Sequence, residues 1–171
     1  HEYIRTGSFD SKFGFGIEYL NTLFQRISNT KHLKLNGLHA HIGSQIFELD
    51  PHKDLGEIMV SVILDAKKYG HYIEKLNVGG GLGIKYVEDD DPPSIDEWVR
   101  TISTSVLKAC NKHNIDLPTL MCEPGRSIVS TSGITIYKIG AFKKIPGIRT
   151  YLSVDGCLLY TSPSPRDLTT S

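Results

Sequence analysis

Apolar residues recur at steps of three and four in three stretches of the chain, which predicts three amphipathic helices. The first helix covers residues 17–28, and its apolar stripe consists of Leu20, Leu23, Phe24 and Ile27. The second covers residues 50–70, with a stripe of Leu55, Ile58, Met59, Val62, Ile63 and Ala66. The third follows residue 94, with a stripe of Ile95, Trp98, Val99, Ile102, Val106 and Cys110.

Local signals predict where two of these helices begin and end. We predict Asp50 as the N-cap of the second helix, with Pro51 at its first helical position. Gly70 suits the left-handed conformation that ends a helix. Ser94 and Glu97 have the spacing of a capping box, which predicts the start of the third helix.

Short apolar or alternating segments lie between the helices. Residues 33–41, 75–78 and 119–122 are predicted strands, each followed by a polar or glycine-rich loop. Alternating strands and helices predict a parallel α/β sheet, either a (β/α) barrel or a doubly wound sheet. A complete barrel takes about 200 to 250 residues, so this pattern accounts for about half of one. Beyond Gly133, residues 134–139 and 150–154 alternate without a helix between them, which predicts antiparallel strands.

Composition narrows the classes of protein and partner. The chain has 171 residues, with 19 Lys and Arg against 19 Asp and Glu, and 39% of its residues are hydrophobic. This balance is that of a folded globular protein, and it offers no basic surface for nucleic acid. The most apolar stretch, residues 58–66, is too short to cross a membrane. Three widely spaced cysteines suggest neither a disulfide framework nor a zinc site, so we expect a reducing, cytoplasmic location.

The two ends of the chain carry separate expectations. The first residues are charged where a signal peptide needs an apolar core, and the chain does not begin with Met, so we expect a piece of a longer protein. Residues 157–171 are rich in Ser, Thr and Pro and have no apolar period, which predicts a disordered tail.

Candidate chemistry lies just past the predicted strand ends. Gly79, Gly80 and Gly81 could point backbone N–H groups at a phosphate, although a glycine cluster after a strand more often forms only a tight turn. Glu123 could accept a hydrogen bond from a ring N–H and Arg126 could grip an anion, or the two could form a surface ion pair. The carboxyl ends of parallel strands are where ligands bind in either fold.

Two histidines, His39 and His41, share one face of the first predicted strand. That spacing also allows metal binding, but no cysteine or carboxylate follows at a ligand spacing, and such histidines are commonly structural. A phosphate cradle, an imidazole and a Glu/Arg pair at neighbouring strand ends fit a phosphorylated pyridine ring better than a nucleotide.

Four motifs, in this order and spacing, resemble the diaminopimelate decarboxylases, which are fold-type III pyridoxal-phosphate enzymes. They are S-K-F-G at residues 11–14, G-L-H-A-H-I-G-S-Q at 37–45, N-V-G-G-G-L-G-I at 77–84 and E-P-G-R-S-I-V at 123–129. The H-I-G-S-Q block is closer to the diaminopimelate branch than to its ornithine and arginine decarboxylase relatives. The resemblance extends over about residues 1–156.

The resemblance implies a fold and a division of the chain. Residues 1–130 would form the second half of a (β/α) eight-stranded, TIM-like barrel that binds pyridoxal 5'-phosphate. Residues 131–156 would begin a C-terminal β-domain, and residues 157–171 would be a divergent tail. The family works as a homodimer on a small amino-acid substrate, so we expect neither a nucleic acid nor a membrane partner, and a location in the cytoplasm or, in a plant, the plastid stroma.

The resemblance also implies roles for individual residues. His41 would stack on the cofactor ring, with the hydroxyl of Ser44 beside it. The three glycines Gly79, Gly80 and Gly81 would hold the phosphate through backbone N–H groups, and Glu123 would keep the pyridine nitrogen protonated. Gly125 and Arg126 would reach the phosphate or a substrate carboxylate.

The implied reaction converts meso-diaminopimelate to L-lysine and CO2. The family's Schiff-base lysine lies in a Y-A-x-K-A motif, and no lysine here, including Lys67, Lys68 and Lys108, has that context. We therefore expect the chain by itself to be inactive. The alternatives are a decarboxylase of ornithine, arginine or carboxynorspermidine, and a non-catalytic protein that binds pyridoxal phosphate. A chain with half a barrel could also aggregate through uncovered strand edges.

Overall fold

The computed structural model describes residues 13–156 of the chain. The chain divides after Ser130 into two compact units, which are described separately below. Residues 11 and 12 of the first motif, and the predicted tail at residues 157–171, lie outside the described residues.

Helices and strands alternate along the first unit. A short 3-10 turn at Ile17–Tyr19 leads into α1, and the elements are α1 (Leu20–Ser28), β1 (Gly37–His39), α2 (Asp50–Lys68), β2 (Lys75–Asn77), α3 (Ile95–His113), β3 (Thr119–Met121) and α4 (Arg126–Val129). The four-residue α4, which is followed by a 3-10 turn at Ser130–Ser132, was not predicted from the sequence.

The three strands of the first unit form one parallel sheet in the order β1-β2-β3. Leu38, Leu76 and Leu120 are aligned across the sheet, and they pack against the hydrophobic core on the side of the helices. Side chains alternate along a strand, so His39, Asn77 and Met121 share the opposite face. That face carries the polar residues, and it is the face from which the site is built.

The core lies between the sheet and the helices α2 and α3. Its members are Phe24, Leu55, Met59, Val60, Val62, Ile63, Ala66, Ile73, Leu76, Val78, Leu82, Trp98, Ile102, Val106, Ala109 and Cys110. Gly56 brings α3 close to α2, because a Cβ at this position would collide with the side chain of Ser105. The Ser105 hydroxyl also donates a hydrogen bond to the carbonyl oxygen of Lys53. The predicted helices are confirmed, and Phe24 is the buried anchor of α1.

The start of α2 differs from the prediction. Asp50 is the first helical residue rather than the N-cap, which is Leu49 in a helical conformation without a side-chain cap. Pro51 is therefore the second helical residue, where its missing N–H leaves no unpaired donor because the first four helical N–H groups have no partner within the helix. The capping box at Ser94 and Glu97 is present, and Gly70 adopts a φ of 82° as expected.

Three members of the predicted apolar stripes are exposed. Ile58 is 50% exposed and lies at the edge of its stripe, because α2 contacts α3 and the sheet on the side of Val60, which is fully buried. Ile95 and Val99 are 48% and 44% exposed, although both lie in the first turns of α3 beside Trp98, which is buried. Helical periodicity finds the buried face, and packing decides how wide that face is.

The second unit contains an antiparallel hairpin of β4 (Ile139–Ile145) and β5 (Arg149–Val154). The prediction of β5 and of antiparallel pairing is confirmed, whereas the predicted strand at residues 134–139 is wrong, since the first strand only begins at Ile139. Gly147, with a φ of 73°, makes the tight turn that sets which residues pair.

Two further observations concern the described residues as a whole. None of the described helices is both long and apolar enough to cross a bilayer. The two described cysteines, buried Cys110 and exposed Cys122, both have free thiols.

Candidate functional site

The loops that follow β1, β2 and β3 meet at the carboxyl ends of the three strands. The backbone N–H of Glu123 donates to the carbonyl oxygen of Gly79 at 2.7 Å, which joins the loop after β3 to the loop after β2. The N–H of Ile46 donates to the carbonyl oxygen of Gly81 at 2.9 Å, which joins the loop after β1 to the same glycines. The predicted motifs are therefore in contact at one edge of the sheet.

The three glycines are required by the closeness of these loops. Gly79 and Gly81 have φ values of 69° and 104°, which side chains rarely permit. A Cβ on Gly79 would lie 2.8 Å from the carbonyl oxygen of Ala40, and one on Gly80 would collide with the carbonyl of Glu123. The backbone conformation and the close packing therefore require glycine at these positions even without a phosphate, which agrees with the tight-turn alternative.

The N–H groups of the glycine loop are not equivalent. The N–H of Gly79 donates to Oδ1 of Asn77 at 2.9 Å, and the N–H of Gly80 donates to Nδ1 of His41 at 3.2 Å. The N–H of Gly81 has no acceptor among the described residues. Of the three glycines predicted to bind phosphate, Gly81 therefore has the N–H that is free to do so in this structure.

His41 lies directly beyond β1, half-buried against the glycine loop. Burial lowers its pKa below the ordinary value of 6.5, His39 lowers the pKa further, and the carboxylate of Glu123 raises it. A neutral imidazole is also what the hydrogen bond requires, since Nδ1 can accept from Gly80 only when it carries no proton. His41 is thus held as an uncharged ring beside the glycines.

The carboxylate of Glu123, which follows β3, contacts one side chain from β2 and one from β1. Oε1 accepts a hydrogen bond from Nδ2 of Asn77 at 2.8 Å, and Oε2 lies 3.4 Å from Nε2 of His39. His39 and His41 therefore have different partners, with His39 near a carboxylate and His41 on a backbone N–H. The described residues contain no cluster of three or more potential metal ligands.

Arg126 does not pair with Glu123, which removes the surface ion-pair alternative for the described part of the chain. Its guanidinium donates to the hydroxyl of Tyr86 at 2.9 Å and lies 6.0 Å from the centre of that ring. Arg126 and Gly125 are both exposed, and a Cβ on Gly125 would meet open space. Ser44 is half-buried in the loop after β1, and its hydroxyl has no hydrogen-bond partner among the described residues.

Three residues of this site were missed in the sequence. Asn77 joins the glycine loop to Glu123, Gln45 joins the loop after β1 to Ile84, and Tyr86 holds Arg126. Asn77 offered one signal, because it is a polar residue at the end of a strand and lies two positions before the first glycine. The other two contacts span about forty positions in the chain and leave no local pattern.

The family model described as "Pyridoxal-dependent decarboxylase, pyridoxal binding domain" matches residues 1–130. The chain belongs to this family. The match covers the whole first unit, including every strand-end residue described above.

Similar individual proteins in this decarboxylase family carry the name diaminopimelate decarboxylase. The chain is 52% identical to diaminopimelate decarboxylase of Synechocystis over 169 residues, which is 99% of this chain and 35% of the relative. It is 41% identical to the Staphylococcus aureus enzyme of the same name, over 91% of this chain and 37% of that protein. The chain thus spans little more than a third of the length of these curated relatives.

Solved structures support the fold. Diaminopimelate decarboxylase from Helicobacter pylori, complexed with L-lysine, matches with a TM-score of 0.73 and 28% identity, over 92% of this chain and 37% of that one. The enzyme from M. jannaschi matches with a TM-score of 0.74 and 30% identity, over 92% and 36%. The fold prediction is confirmed: the chain is α/β, with a parallel sheet that forms part of a (β/α) barrel, followed by strands of a β-domain.

The residues present fit the pyridoxal phosphate that this decarboxylase family requires. An exposed carboxylate, an uncharged imidazole and an unpaired N–H on a glycine loop lie in one group of connected strand-end loops. These groups offer an acceptor for a pyridinium N–H, a flat ring surface and a donor to phosphate.

Proposed function

We propose that this chain is part of a diaminopimelate decarboxylase, which converts meso-diaminopimelate to L-lysine and CO2 with pyridoxal 5'-phosphate. The similarity to decarboxylases of that name supports the choice of substrate, and two of the solved relatives are described as bound to L-lysine. The observation that carries the proposal is the convergence of Glu123, His41 and the glycine loop at one edge of the sheet.

We assign a binding task to each residue. Glu123 accepts a hydrogen bond from the pyridine N–H, which keeps that nitrogen protonated. Pyridoxal phosphate supplies an electron sink for the charge left when CO2 departs, and a protonated ring nitrogen strengthens that sink. His41 lies against the ring as an uncharged imidazole, and Ser44 contributes its unpaired hydroxyl beside it.

The remaining residues bind the phosphate group of the cofactor or a carboxylate of the substrate. The N–H of Gly81 donates to the phosphate directly, while Gly79 and Gly80 shape the loop around it. Arg126, together with the flexible backbone at Gly125, binds the phosphate or a substrate carboxylate bidentately, as guanidinium groups do. To do so, Arg126 exchanges its hydrogen bond to Tyr86 for one to the anion.

The nucleophilic lysine of the reaction belongs outside this chain. Lys67 and Lys68 lie in the last turn of α2. In a β-α-β unit that turn lies at the amino ends of the strands, opposite the site. We therefore propose that the 171 residues bind and orient the cofactor in a larger protein, a homodimer in the cytoplasm or the plastid stroma, and do not catalyse decarboxylation by themselves.

The test is an assay of CO2 release by the full-length protein and by the 171-residue chain, each supplied with pyridoxal phosphate. We expect the full-length protein to release CO2 from meso-diaminopimelate and the 171-residue chain to release none. Preferred turnover of ornithine, arginine or carboxynorspermidine would replace the proposed substrate. A cofactor absorbance in the full-length protein that borohydride cannot fix covalently, without turnover, would indicate a non-catalytic pyridoxal-phosphate-binding protein.

A further inference from the structure

The carboxylate of Glu123 is held at both oxygens by side chains from two adjacent strands. Nδ2 of Asn77 donates to Oε1 at 2.8 Å, and Nε2 of His39 lies 3.4 Å from Oε2. His39 and Asn77 are direct partners in the pairing of β1 with β2, so the pleat places both on the same face of the sheet. The two contacts therefore come from residues that are paired with each other in the sheet.

Asn77 has a second contact that fixes its own orientation. Its Oδ1 accepts from the backbone N–H of Gly79 at 2.9 Å. A backbone N–H can only donate and a carboxylate can only accept, so both partners require the same orientation of the amide group. Asn77 thus ties the position of the glycine loop to the position of the Glu123 carboxylate.

The Glu123 side chain needs such support. It is 55% exposed, and an exposed glutamate side chain loses rotamer freedom when it is confined to one position. A group that must meet one atom of a ligand binds more tightly when this cost is met before the ligand arrives. The hydrogen bond from Asn77 and the contact with His39, on neighbouring strands, supply that confinement.

We propose that Asn77 and His39 are positioning residues that fix the Glu123 carboxylate where the ring nitrogen of pyridoxal phosphate binds. The inference rests on the proposed function, because it takes Glu123 as the partner of that nitrogen. Neither residue touches the cofactor ring in this role. Each acts through Glu123, and Asn77 also acts through the glycine loop.

The first test needs no cofactor and uses amide hydrogen exchange in the full-length protein. Asn77→Ala removes the acceptor of the Gly79 N–H, so we expect exchange of the Gly79 amide to accelerate about tenfold. The adjacent Gly80 amide, which donates to His41, is an internal reference and keeps its rate. Asn77→Asp retains an oxygen facing Gly79, so this nearly isosteric variant keeps protection at both amides. Unchanged exchange of Gly79 in Asn77→Ala would overturn the link to the glycine loop.

The second test measures a preference that depends on the ring nitrogen. Dissociation constants are determined for pyridoxal phosphate and for its 1-deaza analogue, in which a carbon replaces that nitrogen. A hydrogen bond to a charged group predicts that the wild-type protein prefers pyridoxal phosphate by about tenfold or more. We expect Glu123→Ala to abolish the preference. We expect Asn77→Asp, Asn77→Ala and His39→Phe to reduce it at least threefold, with Asn77→Asp acting by repulsion between two carboxylates.

The matched control is Thr119→Val, on the same face of the sheet. Thr119 pairs with Lys75, and its hydroxyl makes no hydrogen bond to a described residue, so the preference should not change. A merely structural effect of the variants would weaken both ligands equally and leave the ratio intact. If Glu123→Ala loses the preference while the Asn77 and His39 variants keep it, the positioning inference is overturned and the proposed function stands. If the wild-type protein shows no preference, the role of Glu123 fails, and the inference fails with it.

Discussion

Replacement of Gln45 tests the contact that joins the first two strand-end loops. Nε2 of Gln45 donates to the carbonyl oxygen of Ile84 at 2.6 Å, and Oε1 accepts from the N–H of the same residue at 3.3 Å. Gln45 also has a φ of 59°, one of two positive values among the described non-glycine residues. The side chain thus stabilises the loop while its backbone strains it.

The two effects can be separated by two substitutions. Gln45→Ala removes two hydrogen bonds worth about 0.5 to 1.5 kcal/mol each, so the unfolding free energy should fall by about 2 kcal/mol. Gln45→Gly loses the same bonds but relieves a left-handed strain of about 1 to 2 kcal/mol, against an entropy cost of about 0.5 to 1 kcal/mol. The glycine variant should therefore be more stable than the alanine variant, by about 0.5 to 1 kcal/mol.

Urea unfolding followed by tryptophan fluorescence measures this difference. Trp98 is the single tryptophan, it is 1% exposed, and it lies in the first unit, so its signal reports on that unit alone. A glycine variant less stable than the alanine variant would refute the assignment of strain to Gln45. An alanine variant within about 0.5 kcal/mol of wild type would refute the contribution of the hydrogen bonds to Ile84.

Two further predictions concern the first unit. Ser94→Ala removes the side chain that accepts a hydrogen bond from the Glu97 N–H, so the unfolding free energy should fall by about 1 kcal/mol. Ser94→Asp can still cap the helix, so its unfolding free energy should stay close to that of the wild type in the same urea assay. Burial lowers the pKa of both His41 and His52 in the folded state, so the unfolded chain binds more protons. The stability should therefore be complete above pH 6.5, and it should decline as the pH falls from there toward the folded pKa values. In urea unfolding between pH 8 and pH 5, His52→Phe should reduce this decline while keeping a ring against Trp98, and an unchanged slope would contradict the assignment to His52.

The glycine loop shows how structural and functional demands coincide at one segment. The loops after β1 and β3 leave no room for a Cβ at Gly79 or Gly80, so these positions would need glycine in the absence of any ligand. The N–H of Gly81, in the same loop, has no acceptor within residues 13–156. Glycine in this motif therefore indicates tight packing first, and a phosphate site only together with the groups around it.

Local interactions determined much of what the sequence predicted. The apolar period of α1, α2 and α3 follows from which face of a helix can be removed from water, and this depends only on spacing along the chain. The capping box at Ser94 and the left-handed Gly70 are likewise local, and both are found in the structure. The strand-end positions of His41, the glycines and Glu123 could be placed because parallel α/β units bring their carboxyl ends together.

Contacts between distant segments decided the rest. Asn77 to Glu123 spans 46 positions, Gln45 to Ile84 spans 39, and Arg126 to Tyr86 spans 40, so no local pattern announces them. The first strand of the hairpin lies at Ile139–Ile145 rather than at residues 134–139, because its partner and the turn at Gly147 set the pairing, while alternation alone fits either segment. The sequence thus determines which elements form and which residue types reach the strand ends, and only the folded chain determines which of those residues touch.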